Sequence, residues 1–283
     1  MTRRPVAAVL AALLFWAAAD VRGEDGGFRS SGLGDPARKI SLPKGLFEIS
    51  GLAAGPDNSV YAHNDEYGIV YEIGLKDGAI ITAFALGDPT VKADFEGIEV
   101  VDGRVYLITS AGRLYEAAIG AHRHRVRFNI YDTGAGDFCE IEGLSRGPGA
   151  GEFLLLCKAV RDPARTKHLL IFKWGLAERM PVRAPWLDIA WADILSPKER
   201  INFRPSAIER SESGLVILSA RNRLFLELSR DGKLLRKGRL AARDHNQAEG
   251  VARMPSGDLV IADEGYGRRP GQITIYKKLN KRN

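Results

Sequence analysis

Three glutamates stand in the same sequence setting: Glu96-Gly97-Ile98-Glu99, Glu142-Gly143-Leu144-Ser145 and Glu249-Gly250-Val251-Ala252. Two further copies carry serine in the first place, Ser50-Gly51-Leu52-Ala53 and Ser206-Ala207-Ile208-Glu209. Carboxylates brought to equivalent positions repel one another, and more strongly where water is excluded. A bound cation relieves that repulsion. An all-oxygen donor set favours a hard ion such as Ca²⁺, whereas zinc asks for His or Cys. Glu96, Glu142 and Glu249, with Glu264 beside them, are therefore the expected metal ligands, and calcium is the expected cofactor. The competing reading is that each glutamate caps backbone N–H groups of the adjoining repeat.

A second polar set closes the strand that follows each motif: Asn64-Asp65-Glu66, Thr109-Ser110, Cys157-Lys158, Ser219 with Arg221, and Asp263-Glu264. Strand ends and the loops after them are where ligands meet an all-β scaffold. Asn64, Glu66, Lys158, Ser219, Arg221 and Asn246 are the ligand-binding candidates. Their mixed charge suits a small anionic or zwitterionic ligand, and a set of internal salt bridges is the alternative. His122 and His124 share a strand face but sit among arginines. His63 and His245 have no serine or cysteine nucleophile at a recognisable spacing. Phosphate-cradling glycine loops, His-Glu-x-x-His and Cys-x-x-Cys are absent from the sequence.

These groups must be positioned by a repeated element. The five motifs are 46, 46, 64 and 43 residues apart. Short β-rich runs fill the intervals, separated by turn signals such as Asp102-Gly103, Asp231-Gly232 and Ser256-Gly257. Periods in the forties with about four strands each predict propeller blades. The fold expected is an all-β, five-bladed β-propeller, with six blades as the alternative. The last blade lacks a fourth strand, and Arg38 to Leu42 is predicted to supply it and close the ring, which removes two sheet edges. The long interval marks an insertion in blade three, roughly 161–202, bearing Trp174, Trp186 and Trp191. Only the stretch around 186–200 suits a helix. The insertion is a candidate protein-contact patch.

The chain has 283 residues and a net charge of +6, with no aromatic-interleaved basic stripe, so nucleic acid is not an expected partner. Residues 1–23, with Arg3-Arg4 before an apolar run, have the layout of a signal peptide. Residues 24–37 are expected to be a flexible linker and 38–283 the propeller. The mature chain is expected to lack a membrane span, to be periplasmic or secreted, and to be a monomer; an uncleaved N-terminal anchor is the alternative. In an oxidising compartment Cys139 and Cys157, set about the glycine-rich turn 147–151, are disulfide candidates. Two buried thiols are the other reading.

Taken together, Glu48-Ile49-Ser50-Gly51-Leu52, Asp94-Phe95-Glu96-Gly97-Ile98-Glu99, Ser206-Ala207-Ile208-Glu209, the block His245-Asn246-Gln247-Ala248-Glu249-Gly250-Val251-Ala252 and Ile261-Ala262-Asp263-Glu264 resemble the SdiA-regulated family of exported bacterial proteins, distant relatives of NHL-repeat propellers. The resemblance implies five blades and a calcium ion at a shared site; it does not imply an enzymatic activity. The expected function is a calcium-stabilised, non-catalytic binding module, its partner an unknown small molecule or protein at the channel mouth. The alternative is a metal-dependent lactonase- or esterase-like hydrolase, because six-bladed lactonases look similar in placing a Glu-Gly glutamate on a channel calcium.

Overall fold

The computed structural model describes residues 33–278, so the expected signal peptide lies outside the described residues. Strand β1 (Arg38–Ser41) precedes the first motif. Blade one is β2 (Ile49–Ala54), β3 (Ser59–Asn64), β4 (Ile69–Gly74) and β5 (Ile80–Leu86). Blade two is β6 (Phe95–Val101), β7 (Arg104–Thr109) and β8 (Arg113–Ala118). The short β9 (Arg125–Val126) crosses back to pair parallel with β5, and β10 (Phe128–Asp132) completes blade two. Blade three is β11 (Cys139–Arg146), β12 (Glu152–Val160), β13 (His168–Gly175) and β14 (Leu187–Ala190), followed by α1 (Trp191–Ile194). Blade four is β15 (Ala207–Arg210), β16 (Gly214–Ser219), β17 (Leu224–Ser229) and β18 (Leu234–Arg239).

Blade five is β19 (Ala248–Arg253), β20 (Leu259–Asp263) and β21 (Gln272–Tyr276). Its outer strand is β1, paired antiparallel with β21 from Arg38↔Ile275 to Ser41↔Gln272. The N-terminal strand thus closes the last blade, as the sequence predicts. The five innermost strands, β2, β6, β11, β15 and β19, pack in a closed cycle, and the six-bladed alternative falls. Turn chemistry sets the hairpins. Between β6 and β7, Asp102 and Gly103 both have positive φ, 49° and 72°, the conformation that a two-residue hairpin turn demands.

The core is divided rather than central. Five apolar clusters each fill the gap between two neighbouring blades. Ile40, Leu46, Val60, Ala62, Val260 and Ile273 join blades five and one, for example, and Leu154, Ile171, Ile208, Ile217 and Leu226 join blades three and four. Each fully buried Leu, Ile or Phe contributes about 1.5–3 kcal/mol, but only when the adjacent blade is present, so the ring stands or falls as a unit.

Three sequence expectations resolve at this level. Of the expected linker, only 33–37 is described. There Leu33 is buried against blades four and five and Asp35 pairs with Arg243 at 2.9 Å. The blade-three tryptophans do not form a contact patch. Trp174 and Trp191 are buried, Trp191 edge-on to Phe203 at 5.2 Å, and Trp186 packs on the same cluster. Trp174 fills the gap between blades two and three, and Trp191 and Trp186 the gap between blades three and four, because large aromatic rings release most free energy when enclosed. Cys139 and Cys157 are joined, with Cα atoms 5.7 Å apart. They are not directly opposed, since Cys157 faces Ile141 and Cys139 faces Val160; irregular pairing brings the two diagonal positions together.

Candidate functional site

The motif residue has a specific backbone role. Pairing runs Phe95↔Thr109 and then Gly97↔Ile108, which leaves Glu96 as an extra residue. The same slip leaves Ser50, Glu142 and Glu249 as extra residues at the heads of β2, β11 and β19. A β-bulge turns the side chain of its extra residue out of the normal alternation. Here four bulges direct one residue per blade toward the start of the channel. In blade four Ser206 stands just ahead of β15, its N–H bonded to Leu218 O at 2.9 Å. The glycine that follows lets the inner strands close on one another. A Cβ on Gly97 would lie 2.6 Å from Leu144 N, and one on Gly143 would lie 3.0 Å from Ile208 Cγ2.

The channel has two mouths: an entry mouth, where the inner strands begin, and a turn mouth, at the hairpin turns where they end. The entry mouth is acidic. Ser50 Oγ donates to Glu96 Oε2 at 3.2 Å. Burial, and then the facing charge of Glu142, push Glu96 up to about 8. Burial pushes Glu142 and Glu249 to about 8 as well, with Glu249 adding to the repulsion at Glu142 and Glu264 to that at Glu249. Glu264 reaches about 7, through burial and then Asp65 and Glu48, although Gln247 Nε2 donates to its Oε2 at 2.6 Å. Asp65 is raised by burial, then by Glu48.

One cation stands against this set. Lys158, at the end of β12, places Nζ 2.5 Å from Glu142 Oε1 and 4.0 Å from Glu140 Oε1. Burial alone would lower its pKa; Glu142, with Glu96 and Glu249 behind it, raises it overall. Lys158 lowers the pKa of all four glutamates expected to bind metal. It is a positive charge already present where a calcium ion was expected. Among the described residues no group of three or more His, Cys, Asp and Glu side chains converges as a metal site. With the Lys158 ammonium group on Glu142, a cation entering here would have to displace it. Acceptors are nevertheless left over: Glu142 is only 4% exposed, and its Oε2, like Asp65 Oδ1 and Asp263 Oδ1, is buried without a hydrogen-bond partner.

The other candidates divide between scaffold and rim. Ser219 is buried, and its hydroxyl accepts Arg204 N–H at 3.1 Å; it belongs to the scaffold, not to a ligand surface. Asn64 Oδ1 accepts Tyr67 N–H at 3.1 Å and shapes the turn after β3. Glu66, Arg221 and Asn246 are exposed near the same ends of their blades. A cavity of 450 Å³ opens on this rim between blades two and three, lined by Asp94, Ser110, Glu140 and Arg161. His245 is enclosed, its ring bonded to Asp263 Oδ2 at 2.7 Å and to Tyr276 OH at 2.6 Å. Burial takes His63 down to about 4, so it is neutral at pH 7. His122 Nδ1 accepts Ala83 N–H at 3.1 Å. Among the described residues no histidine is bonded to a serine or cysteine.

A second level of the channel was missed. Three residues beyond the bulge, Glu99, Ser145 and Glu209 lie deeper on the same strands. Glu99 Oε2 accepts Arg146 N–H at 2.7 Å, Ser145 Oγ accepts Arg210 N–H at 2.9 Å, and Glu209 Oε1 accepts Arg253 N–H at 3.2 Å. Each accepts from the inner strand of the next blade. The capping role weighed for Glu96 and its equivalents is thus performed one step further along. The fourth position of the motif held the signal: Glu, Ser and Glu where blades one and five have only alanine.

No protein-family model matches the chain, and no curated protein sequence does. Solved structures do. A luciferin-regenerating enzyme aligns with a TM-score of 0.54 at 9% identity, over 83% of this chain and 92% of its own. The PQQ-bound aldose sugar dehydrogenase of Streptomyces coelicolor gives 0.53 at 11% identity, over 86% and 97%. The glutaminyl cyclase of Myxococcus xanthus gives 0.53 at 13%, over 85% and 94%. These proteins are named for three different chemistries, and identities this low establish the fold alone: the chain is a β-propeller with five blades.

Proposed function

We propose that this chain is an exported, non-catalytic binding propeller whose acidic entry mouth receives a cationic group. The observation that carries the reading is Glu142: a bulge aims it into the channel, Lys158 neutralises one of its oxygens, and the other is buried with no partner. A buried acceptor left unsatisfied costs about 1–3 kcal/mol, and a positive donor entering the mouth would recover that. Export is supported by the Arg3-Arg4 and apolar layout of residues 1–23 and by the Cys139–Cys157 bond. The resemblance of its motifs to the SdiA-regulated family agrees with this reading.

Calcium is the inorganic candidate. Glu96, Glu142 and Glu249, with Glu264, would hold it once Lys158 had moved off Glu142. An organic ammonium group needs less rearrangement, because it repeats the contact Lys158 already makes. The test measures metal in the purified chain by mass spectrometry, melting with and without a chelator, and calorimetric titration with Ca²⁺ and with 1,4-diaminobutane. About one calcium per chain and a lower Tm after chelation would support the ion. Saturable binding of the diamine without metal would support the organic cation. Neither metal, chelator effect nor binding would overturn the proposal. The alternative, a metal-dependent lactonase- or esterase-like hydrolase, requires an open coordination position. Lactone turnover abolished by Glu96→Ala would replace the binding reading with that one.

A further inference from the structure

The turn mouth of the channel holds a cavity whose lining differs in character from the entry mouth. A cavity of 880 Å³ lies there, lined mainly by blades three, four and five, with Ala54 of blade one and Glu99 of blade two. Its volume is within the range of sites for small organic ligands. Five arginines line it: Arg146, Arg210, Arg230, Arg236 and Arg253. Three come from the repeat itself, because the residue after the fourth motif position is Arg in blades three, four and five: Ser145-Arg146, Glu209-Arg210 and Ala252-Arg253. The second-level acceptors Glu99, Ser145 and Glu209 hold the backbone N–H of all three, so the guanidinium stems leave a rigid ring.

Four acids share the cavity, Glu99, Glu209, Glu212 and Glu227, and they pair with only some of its arginines. Glu227 serves two arginines at once, taking Arg236 Nε and Nη2 at 3.0 and 2.8 Å while Arg253 Nη2 lies 3.8 Å away. Glu99 and Glu209 accept backbone N–H groups, and Glu99 Oε1 also lies 3.8 Å from Arg146 Nη2. Burial, and then the charge of Glu99, push Glu209 up to about 8, so protons cancel part of the floor's formal negative charge at neutral pH. Among the described residues Arg210 and Arg230 have no carboxylate partner. Arg253 Nε is buried and makes no hydrogen bond, although its Nη1 donates to Gly257 O at 3.2 Å. A buried guanidinium donor without an acceptor is costly, and arginine forks match the paired oxygens of carboxylate and phosphate.

We infer that this cavity is an anion site, taking a small molecule with two or more carboxylate or phosphate groups whose oxygens bridge Arg210 and Arg253. It is independent of the entry mouth, which lies at the other end of the channel.

The test titrates the purified chain with pyrophosphate and with citrate, separately, by calorimetry in 150 mM salt, which suppresses diffuse surface binding on the order of the Debye screening expected there. Saturable binding of either probe is expected, and the stronger one identifies phosphate or carboxylate as the natural group. Arg210→Gln, which breaks no ion pair, is expected to weaken binding about tenfold, as loss of one charged hydrogen bond does. Arg253→Gln is expected to do at least as much. Lys158→Gln, at the entry mouth, is expected to leave it unchanged. No saturable binding of either probe overturns the inference. So does binding that survives both arginine substitutions, or binding lost in Lys158→Gln but retained in Arg210→Gln.

Discussion

The two mouths of this channel are built from the same five strands and end with opposite signs. At the entry mouth the first motif residue is Glu in blades two, three and five, each on a bulge that leaves it outside the strand ladder. Its carboxylate has no backbone donors of its own. It is buried among like charges, and one lysine from a neighbouring strand holds the group together. At the turn mouth the fourth motif residue is Glu99 or Glu209, inside regular pairing with β7 and β16. There the carboxylate accepts an N–H of the next blade, and that N–H belongs to an arginine, Arg146 or Arg253. Carboxylate chemistry alone therefore says little about role. A carboxylate with backbone donors is part of the frame, and one without them is available to a partner.

Three substitutions test that contrast. The largest effect is expected where both mouths depend on one feature, the close approach of the inner strands. Gly97→Val puts carbon within 2.6 Å of Leu144 N. It should cost about 4 kcal/mol or more, measured by denaturant unfolding, and disturb both mouths together. A loss under about 1 kcal/mol would mean that the strands adjust and that the glycine serves another purpose.

Next in size is Lys158→Met. It removes the one ammonium group from Glu96, Glu142 and Glu249 while keeping the stem's volume. Breaking a buried pair costs up to about 3–5 kcal/mol. Lys158 is about a third exposed, at 34%, so about 1–3 kcal/mol is expected at pH 8. The cost should shrink toward pH 5, where the glutamates take up protons. A cost that does not vary with pH would separate Lys158 from the carboxylates. The turn mouth should not register the change.

The smallest effect is a slope. Glu96, Glu142 and Glu249 have an ordinary pKa of 4.5 and about 8 in the folded chain. Between those limits the folded state holds protons that the unfolded state has released. Stability is therefore greatest below about pH 4.5 for these groups, falls as pH rises toward 8, and then levels. Glu249→Gln should remove one proton from that linkage, flattening the slope by at most ~1.4 kcal/mol per pH unit, read from Tm against pH. An unchanged slope would assign the linkage to other buried acids. Saturating the mouth with a cation should flatten it too, since a bound positive charge displaces the protons.

Much of the frame was legible. The spacing of Ser50, Glu96, Glu142, Ser206 and Glu249 counted the blades. Asp102-Gly103 marked a hairpin, and Arg38 to Leu42 was recognisable as the missing strand. Local propensity and a period in the forties are properties of the chain itself, so they survive without coordinates. The metal reading fared differently. It located the carboxylates at one level of the channel, yet it counted Lys158 only as a rim residue. Lys158 lies 16 positions from Glu142 and 91 from Glu249 in sequence, and its effect on them depends on separations in space that no repeat encodes.

The same division holds across the molecule. By itself the sequence determined an all-β chain of five blades, the order of their strands, and which residue of each motif faces the axis. Those features follow from patterns within about one repeat. Only the tertiary structure decided that Glu99 and Glu209 staple neighbouring blades while Glu142 keeps an oxygen free. It also decided that Trp174 and Trp191 fill a core, and that three consecutive staples present Arg146, Arg210 and Arg253 to one cavity. Hydrogen bonding, burial and charge act through space, and residues distant in the chain become neighbours only when the ring is closed.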